Sequence, residues 1–440
     1  MTRLRNAALA IAAIASFHRV AYANTVQDQQ GVGSRVKAMG GAGTATAQDA
    51  AATYYNPAGL SQCARNQASI ESNYWRYGLS IDSDTEEFEG ETLSDRTAAT
   101  FSACLHLPYR LSVGLLFDTG VSQVQSLKQS SLSKTPEYAL YGKPLEQVSI
   151  IGGVSYKVNS HLSIGIGGAV LINSGLQIAA EIPVLGGDDE IAGAVAWELN
   201  PAASFYGGVR YEFDSQLVLA ASLRTALFHQ LKAETRTRVQ AAGVLFDVDV
   251  LLENVAWYSP LQASIGATYP LSETITTAFD LSWYHYSAHP GPYIHISPLD
   301  PDDSVAAGLN YPPDEDPNFH DTLVPRFGVE FLATSQLALR AGVSYRPTPV
   351  PLPSPDKRAN LLDASVATLS FGSGYVWKLK DSKKGSKDNQ SISSFEISAH
   401  LRLHHMGEET VTKIVDTNQT ASFKFGGQML DTGITATVGW

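Results

Sequence analysis

The sequence predicts an all-β chain: a transmembrane antiparallel β-barrel of about fourteen strands whose lumen encloses the N-terminal stretch. Three observations lead there. From about Asn66 onward, apolar residues alternate with polar or small ones at a period of two. Short and long connections alternate strictly between those segments. Gly31 to Leu60 carries almost no bulky aliphatic residue and cannot build a core of its own, so it is most stable inside a wall that other residues supply.

Taken in order, the chain begins with the features of an export signal. Arg3 and Arg5 form a charged start, Ala7 to Phe17 a short apolar run, and Ala21-Tyr22-Ala23 a small-x-small cleavage pattern. Cleavage is expected after Ala23, which divides the chain into a signal peptide (1–23), an N-terminal segment (24–64) and a barrel (65–440). The apolar run is too short to span a bilayer, and no later stretch reaches the ~18 residues of a transmembrane helix. Removal of 1–23 leaves 28 basic against 43 acidic side chains, a net charge of −15. That excess argues against nucleic acid as a partner, because phosphate binding requires clustered Lys and Arg.

Within 31–60, Gly40, Gly41, Gly43, Ala45, Ala47 and Ala50 to Ala52 allow close backbone approach, and glycine reaches conformations that other residues resist. Asn56-Pro57 forces extended backbone at Asn56 and ends any helix begun near Gln48.

The alternation that follows is clearest beside the short connections. In 161–172, Leu162, Ile164, Ile166, Val170 and Ile172 share one face, and Ser163, Gly165, Gly167 and Ala169 the other. In 110–117, Leu111, Val113, Leu115 and Phe117 oppose Ser112 and Gly114; in 336–346, Leu337, Leu339, Ala341, Val343 and Tyr345 oppose Gln336, Arg340, Ser344 and Arg346. A soluble sandwich would show the same alternation, so connection lengths must decide. Short turns are expected at Pro108-Tyr109, Asn159-Ser160, Asp214-Ser215, Pro270 to Ser272 and Thr334-Ser335, with a longer one over Asp381 to Asn389. Long polar or irregular connections are expected at 81–95, 120–144, 175–194, 231–254, 288–319, 347–361 and 406–420. Tight turns at one rim and long loops at the other are the pattern of an outer-membrane barrel. Such a sheet must close, since an open edge in lipid leaves backbone groups unpaired. Leu430, Thr432, Ile434, Ala436, Val438 and Trp440 form a last amphipathic strand that ends on an aromatic residue, as in bacterial outer-membrane proteins. Tyr74, Trp75, Tyr211, Tyr269, Trp283, Tyr284, Tyr375 and Trp377 are candidates for interfacial girdles.

Read from Gly31 to Leu60 as GxGxRxxAMGGAxxAxAxDAAAxYYNPAGL, the N-terminal stretch resembles the hatch of FadL/TodX-like outer-membrane transporters. Later pieces are similar to the same family: Phe319-His-Asp321-Thr322, Arg326-Phe-Gly328-Val-Glu330, Leu339-Arg340-Ala341-Gly342 and Tyr345-Arg-Pro347-Thr348-Pro349-Val350. Phe331 stands where the family usually has Tyr. The matched pieces cover about a third of the chain after Ala23, and 121–317 matches only in rhythm. The resemblance implies passive uptake of long-chain fatty acids or aromatic and alkane hydrocarbons. It also implies an outer-membrane setting of lipid and lipopolysaccharide and insertion by the β-barrel assembly machinery. The ligand would be bound in the lumen above a hatch and released sideways at a kinked strand. Gly40, Gly41, Asn56, Pro57 and Ala58 match the hatch or gate, and Arg110 to Gly120 the kinked strand, where Gly114 and Gly120 could permit a bulge.

Apolar residues in two long connections are candidates for ligand capture: Ile182, Val184, Leu185 and Ile191 in one, and Val244, Leu245, Phe246, Val248, Val250 and Leu251 in the other. Burial against them would favour a hydrophobic ligand by roughly 25 cal/mol per Å2. The alternative is that these runs extend the strands upward. Arg326, Glu330, Arg340 and Arg346 fall on inward faces of two neighbouring strands and are expected to pair as a lumen ladder; one arginine holding a ligand carboxylate is the other reading. Cys63 and Cys104 both belong near the short-turn rim, so either a clip between segment and wall or two free thiols is consistent.

No cofactor or metal site is expected, and no enzyme chemistry. His285, His289 and His295 with Asp300, Asp302 and Asp303 match no firm ligand spacing, no Ser-His pair stands out, and no phosphate-cradling loop occurs. Two other function classes remain from sequence: a general or ion-selective porin, which wants an unobstructed bore, and a structural or adhesive barrel.

Overall fold

A computed structural model describes residues 22–23, 26–85, 93, 95–120, 136–141, 148–172, 177–183, 190–199, 202–241, 244–291, 295–300, 314, 316–356, 361–378, 393–416 and 419–440. Most of the expected export signal and its neighbours Asn24 and Thr25 lie outside these residues. Fourteen strands close into one antiparallel barrel. In chain order they are β1 (Gln67–Ser83), β2 (Arg96–Leu107), β3 (Leu111–Gly120), β4 (Val148–Lys157), β5 (Leu162–Ile172), β6 (Ala202–Glu212) and β7 (Val218–Arg224). They continue as β8 (Gln262–Pro270), β9 (Ile275–Tyr284), β10 (Thr322–Leu332), β11 (Leu337–Arg346), β12 (Val366–Lys378), β13 (Ser394–Asp416) and β14 (Gln419–Gly439). β14 pairs with β1 from Gln67 opposite Gly439 to Ser83 opposite Phe423, which removes both sheet edges.

The faces divide as the alternation requires. Ile164, Ile166, Val170 and Ile172 are exposed on β5 whereas Ser163 and Gly165 are buried, with Ile166 72% and Ser163 1% accessible. Phe101, Leu115, Phe205, Leu219, Ile265, Phe279 and Ile434 extend the same outward apolar surface around the wall. The inward face carries Glu71, Thr100, Asp118, Arg210, Asp280, Glu330, Arg340, His400 and Asp431, all buried. Apolar side chains outward and charged ones inward would be unstable in water and are stable in lipid, where outward residues meet acyl chains. The chain is therefore a multi-strand protein of the bacterial outer membrane.

Two expected girdle residues belong elsewhere. Trp75 follows Tyr74 by one residue and so takes the opposite face: Tyr74 is exposed, and Trp75 is buried beside Tyr77. Tyr284 likewise turns inward, where its hydroxyl accepts from Arg326.

Several expected long connections are themselves strands. Residues 177–183, 190–199, 227–241 and 244–259 form two hairpins of a six-stranded sheet outside the barrel ladder, completed by Tyr22–Ala23 and His295–Pro298. Of the expected connection 406–420, residues 406–416 belong to β13 and 419–420 to β14, strands that outlast most neighbours at 23 and 21 residues. A register shift between Met406 and Glu409 lets this hairpin bend, and Gly426, with φ +141°, lies against the shift: a Cβ there would stand 2.8 Å from Gly407 O. Above the lumen, Trp75, Leu79 and Ile81 of β1 pack with Phe423, Phe425 and Met429 of β14 and with Tyr138 and Leu140, forming the largest apolar core among the described residues. β3 pairs on both sides without any shift in register, so the bulge expected at Gly114 or Gly120 does not occur there.

Candidate functional site

The site is built where the N-terminal segment meets the inward wall. Three short helices mark the segment: α1 (Val26–Gln30), α2 (Ser34–Ala38) and α3 (Ala52–Tyr55), followed by a 3-10 turn over Pro57–Gln62. Gly40 and Gly41 reverse the chain after α2 with φ of +70° and +81°, a conformation that side chains resist. Asn56 is extended, as the residue before a proline must be, and its Oδ1 accepts from Ala58 N at 3.1 Å. Its Nδ2 donates to Thr44 O (3.0 Å) and to Val209 O on β6 (3.2 Å), so one amide links two parts of the segment to the wall.

Inward glycines make room for this backbone. A Cβ at Gly342 would stand 2.2 Å from Gly40 N, one at Gly328 2.5 Å from Met39 O, and one at Gly372 2.5 Å from the Ala38 Cβ. A second group receives the other end: Gly165 against Pro57 and Ala58, Gly208 against Asn56, and Gly114 against Thr53 and Leu60. Gly114 is thus a packing position rather than a kink.

Ion pairs then fasten the segment. Arg35 donates to Glu330 through Nε (3.0 Å) and Nη2 (2.9 Å), and Arg340 Nε donates to the same carboxylate at 2.6 Å. Lys37 is paired with Glu71 at 2.9 Å and donates to Asn73 at 2.8 Å, both ends buried. Asp280 accepts from Thr44 N at 2.7 Å. The expected four-residue ladder therefore separates: Glu330 and Arg340 pair and hold Arg35, Arg346 forms a bidentate pair with Asp363 (2.8 and 2.9 Å), and Arg326 donates to the hydroxyls of Ser282 (2.8 Å) and Tyr284 (3.0 Å). Ser34, His400 and Asp431 stand in the order of a hydrolase relay, with Ser34 Oγ 3.0 Å from His400 Nδ1 and His400 Nε2 3.4 Å from Asp431. All three are buried, Ser34 also contacts Thr435 Oγ1 at 2.7 Å, and Asp431 is shared with Arg402, so the trio anchors α2 to the wall.

Cys63 and Cys104 are bonded, joining the end of the segment to β2. With 41 residues of separation the chain-entropy relation gives about 4 kcal/mol. Cys63→Ser is therefore expected to lower the urea midpoint clearly, and non-reduced wild type should weigh two hydrogens less than the reduced form; equal masses would remove the clip.

Above the segment lies a cavity of about 130 Å3. Arg224, Arg326, Arg346 and Arg402 line it together with Tyr54, Tyr55, Tyr206, Tyr284 and Tyr286. Arg224 lies 4.2 Å over the Tyr54 ring and pairs with Asp28 at 3.4 Å.

The expected capture residues are not gathered here. Val184 and Leu185 lie outside the described residues, and Ile182 and Ile191 face each other in register in the outer sheet. Val244, Leu245 and Phe246 take consecutive register positions opposite Ala241, Gln240 and Val239, in a regular ribbon rather than an irregular loop; Val248 and Leu251 continue the same strand, where Val250 is buried. Of the histidines, His285 binds Asp321 at 3.0 Å and His295 binds Asp314 at 2.9 Å. Burial beside Tyr258 and Phe319 lowers the pKa of His289. Asp302 and Asp303 lie outside the described residues. Sequence reasoning missed Arg35, Lys37, Glu71 and Asp280; charged residues at inward strand positions opposite a segment with its own basic pair were the available signal.

Solved structures share this fold. A FadL homologue of Pseudomonas aeruginosa is 14% identical, with 90% of this chain and 95% of that one covered and a TM-score of 0.60. The toluene transporter TodX of P. putida is 15% identical (93% and 99% covered, TM-score 0.54), and the toluene transporter TbuX of Ralstonia pickettii 14% (94% and 100%, TM-score 0.57). A comparison with curated proteins finds no match. The family described as outer membrane protein transport protein (OMPP1/FadL/TodX) matches residues 11–383. With that match over most of its length and a closed fourteen-stranded barrel around its N-terminal segment, the chain belongs to the OMPP1/FadL/TodX family of outer-membrane transport proteins.

Proposed function

We propose that the chain carries hydrophobic compounds, long-chain fatty acids or aromatic and alkane hydrocarbons, passively through the outer membrane, and that it is a channel rather than an enzyme. The observation that carries this reading is the fit of residues 26–63 against inward glycines and paired charges, with the cavity directly above. A bore so filled suits a ligand that is handed on by contact, and counts against a general porin. In this reading 1–23 is a signal peptide removed on export, 24–64 a hatch and 65–440 the barrel. Lipopolysaccharide and outer-membrane lipid surround the barrel, and the β-barrel assembly machinery inserts it. Ligand is captured at the outer sheet that contains Ile182 and Phe246, held in the lumen, and released past the hatch into the membrane. Likeness to the toluene transporters TodX and TbuX supports a hydrophobic cargo.

Deleting the protein should abolish growth or uptake on oleate or toluene, and reintroducing it should restore both. Ala58 is fully buried, its carbonyl accepts from Ser155 Oγ at 3.1 Å, and its amide lies against Gly165. Ala58→Leu is expected to reduce uptake several-fold at unchanged surface expression. Unchanged uptake would take the hatch out of the mechanism, and large steady conductance of wild type in planar bilayers would favour a porin.

A further inference from the structure

We infer that the lumen cavity is a site for a compact aromatic carboxylate, with Arg326 as its anion anchor. Three of the four cavity arginines already hold a carboxylate: Arg224 with Asp28, Arg346 with Asp363, Arg402 with Asp431. Arg326 does not, among the described residues; two of its five N–H donors go to the neutral hydroxyls of Ser282 and Tyr284. The carboxylate in register with it, Asp280, makes no ion pair with it within 4.0 Å and is engaged by Thr44 N. Asp280 offsets part of the Arg326 charge across the ladder without touching it, so the guanidinium keeps donors with no carboxylate on them among the described residues, and a planar fork suits a carboxylate.

The surroundings define the rest of the ligand. Arg326 begins a run of inward hydroxyls in register on successive strands, Ser344 and then Thr368, which closes on His404, bonded to Thr368 at 2.9 Å. All four line the cavity, and they suit oxygen acceptors on a ligand more than a bare hydrocarbon. Tyr54, Tyr55 and Tyr206 line the same cavity and supply aromatic surface for a ring. The volume, about 130 Å3, is of the order that accommodates one aromatic ring, roughly 150 Å3 for benzene. One ring bearing one carboxylate fits all three constraints.

The inference rests on the uptake reading but is separable from it. The full chain in detergent would be titrated calorimetrically with benzoate, toluene and hexadecanoate. Benzoate should bind saturably and more tightly than toluene, which has the same ring and no charge. Arg326→Leu should weaken benzoate at least tenfold and leave toluene unchanged; Arg326→Lys, with charge but no fork, should fall between. Heat-modifiable gel mobility reports whether each variant is assembled, and the wild-type ranking decides the matter even if a variant is not. Benzoate binding no better than toluene, or benzoate affinity unchanged in Arg326→Leu, overturns the inference. If that happens while cells still require the protein for toluene or oleate uptake, the uptake reading stands and only the carboxylate site falls. If benzoate binds as described while neither hydrocarbon nor fatty acid depends on the protein for uptake, the site stands and the uptake reading falls.

Discussion

Gly342→Leu is expected to open the lumen while the barrel still assembles. The side chain would start at a Cβ only 2.2 Å from Gly40 N and 2.3 Å from Met39 C, and both of those atoms belong to backbone that cannot rotate aside. Gly40 is itself closed in, since its own φ is +70° and a Cβ on it would meet Val343 O at 2.7 Å. Ordinary overpacking costs about 1–3 kcal/mol because neighbours shift by rotamer. Here the neighbour is a turn, so the cheaper response is for residues 38–41 to leave the wall. The β11 ladder is backbone-bonded on both sides and does not depend on that turn. Planar-bilayer conductance should therefore rise at least several-fold over wild type, with normal heat-modifiable mobility. Gly152→Leu is the matched control, because a Cβ there meets nothing within 4 Å. Wild-type conductance in Gly342→Leu at equal surface level would show that this contact does not seat the segment.

The barrel was legible because its evidence is local and repeated. A period of two needs no partner to be seen, and each short turn, such as 108–110 or 333–336, is bounded by two alternating runs. The same periodicity runs through the expected connection 231–254, where Lys232, Glu234, Arg236 and Arg238 take every second position and Lys232 pairs with Glu253 across the ribbon at 2.6 Å. High charge content there reads as an irregular loop unless the parity of the positions is counted. Trp75 and Tyr284 make a related point: aromatic content suggests an interface, while the parity of their neighbours assigns them inward.

The site was less legible because it is made by residues far apart in sequence. Gly328 and Gly342 looked like ordinary strand glycines, yet their register puts them side by side beneath Met39 and Gly40. Arg326 and Arg340 looked equivalent, being inward arginines on adjacent strands. What separates them is the third partner: Arg340 shares Glu330 with Arg35, whereas Arg326 has Gly41 packed over it and touches no carboxylate among the described residues, Asp280 across the ladder being held by Thr44 instead. No spacing rule along one chain contains that difference.

Glu330→Gln should cost far more stability than neutralising an exposed carboxylate of the wall. The carboxylate accepts from two guanidiniums, Arg35 and Arg340, with side-chain exposures of 24%, 5% and, for Glu330 itself, 11%. Replacing it with an amide leaves two cations facing one neutral acceptor, and removing one partner of a buried pair typically costs about 3–5 kcal/mol. The comparison is Glu212→Gln: Glu212 also binds an arginine, Arg210 at 2.9 Å, but is 41% exposed, and exposed pairs contribute about 0–1 kcal/mol. Urea midpoints should separate the two variants widely. The loss is also specific in place, since Arg35 belongs to the segment and Arg340 to β11: proteolysis within 26–63 should accelerate in Glu330→Gln before the barrel unfolds. Adding Arg35→Gln should recover part of the stability by withdrawing one uncompensated charge, yet it should not restore protection of the segment, which has then lost its tie to the wall. Equal midpoints for Glu330→Gln and Glu212→Gln would mean that the lumen is wet enough to screen the pair, and that the glycine contacts alone hold the segment in place.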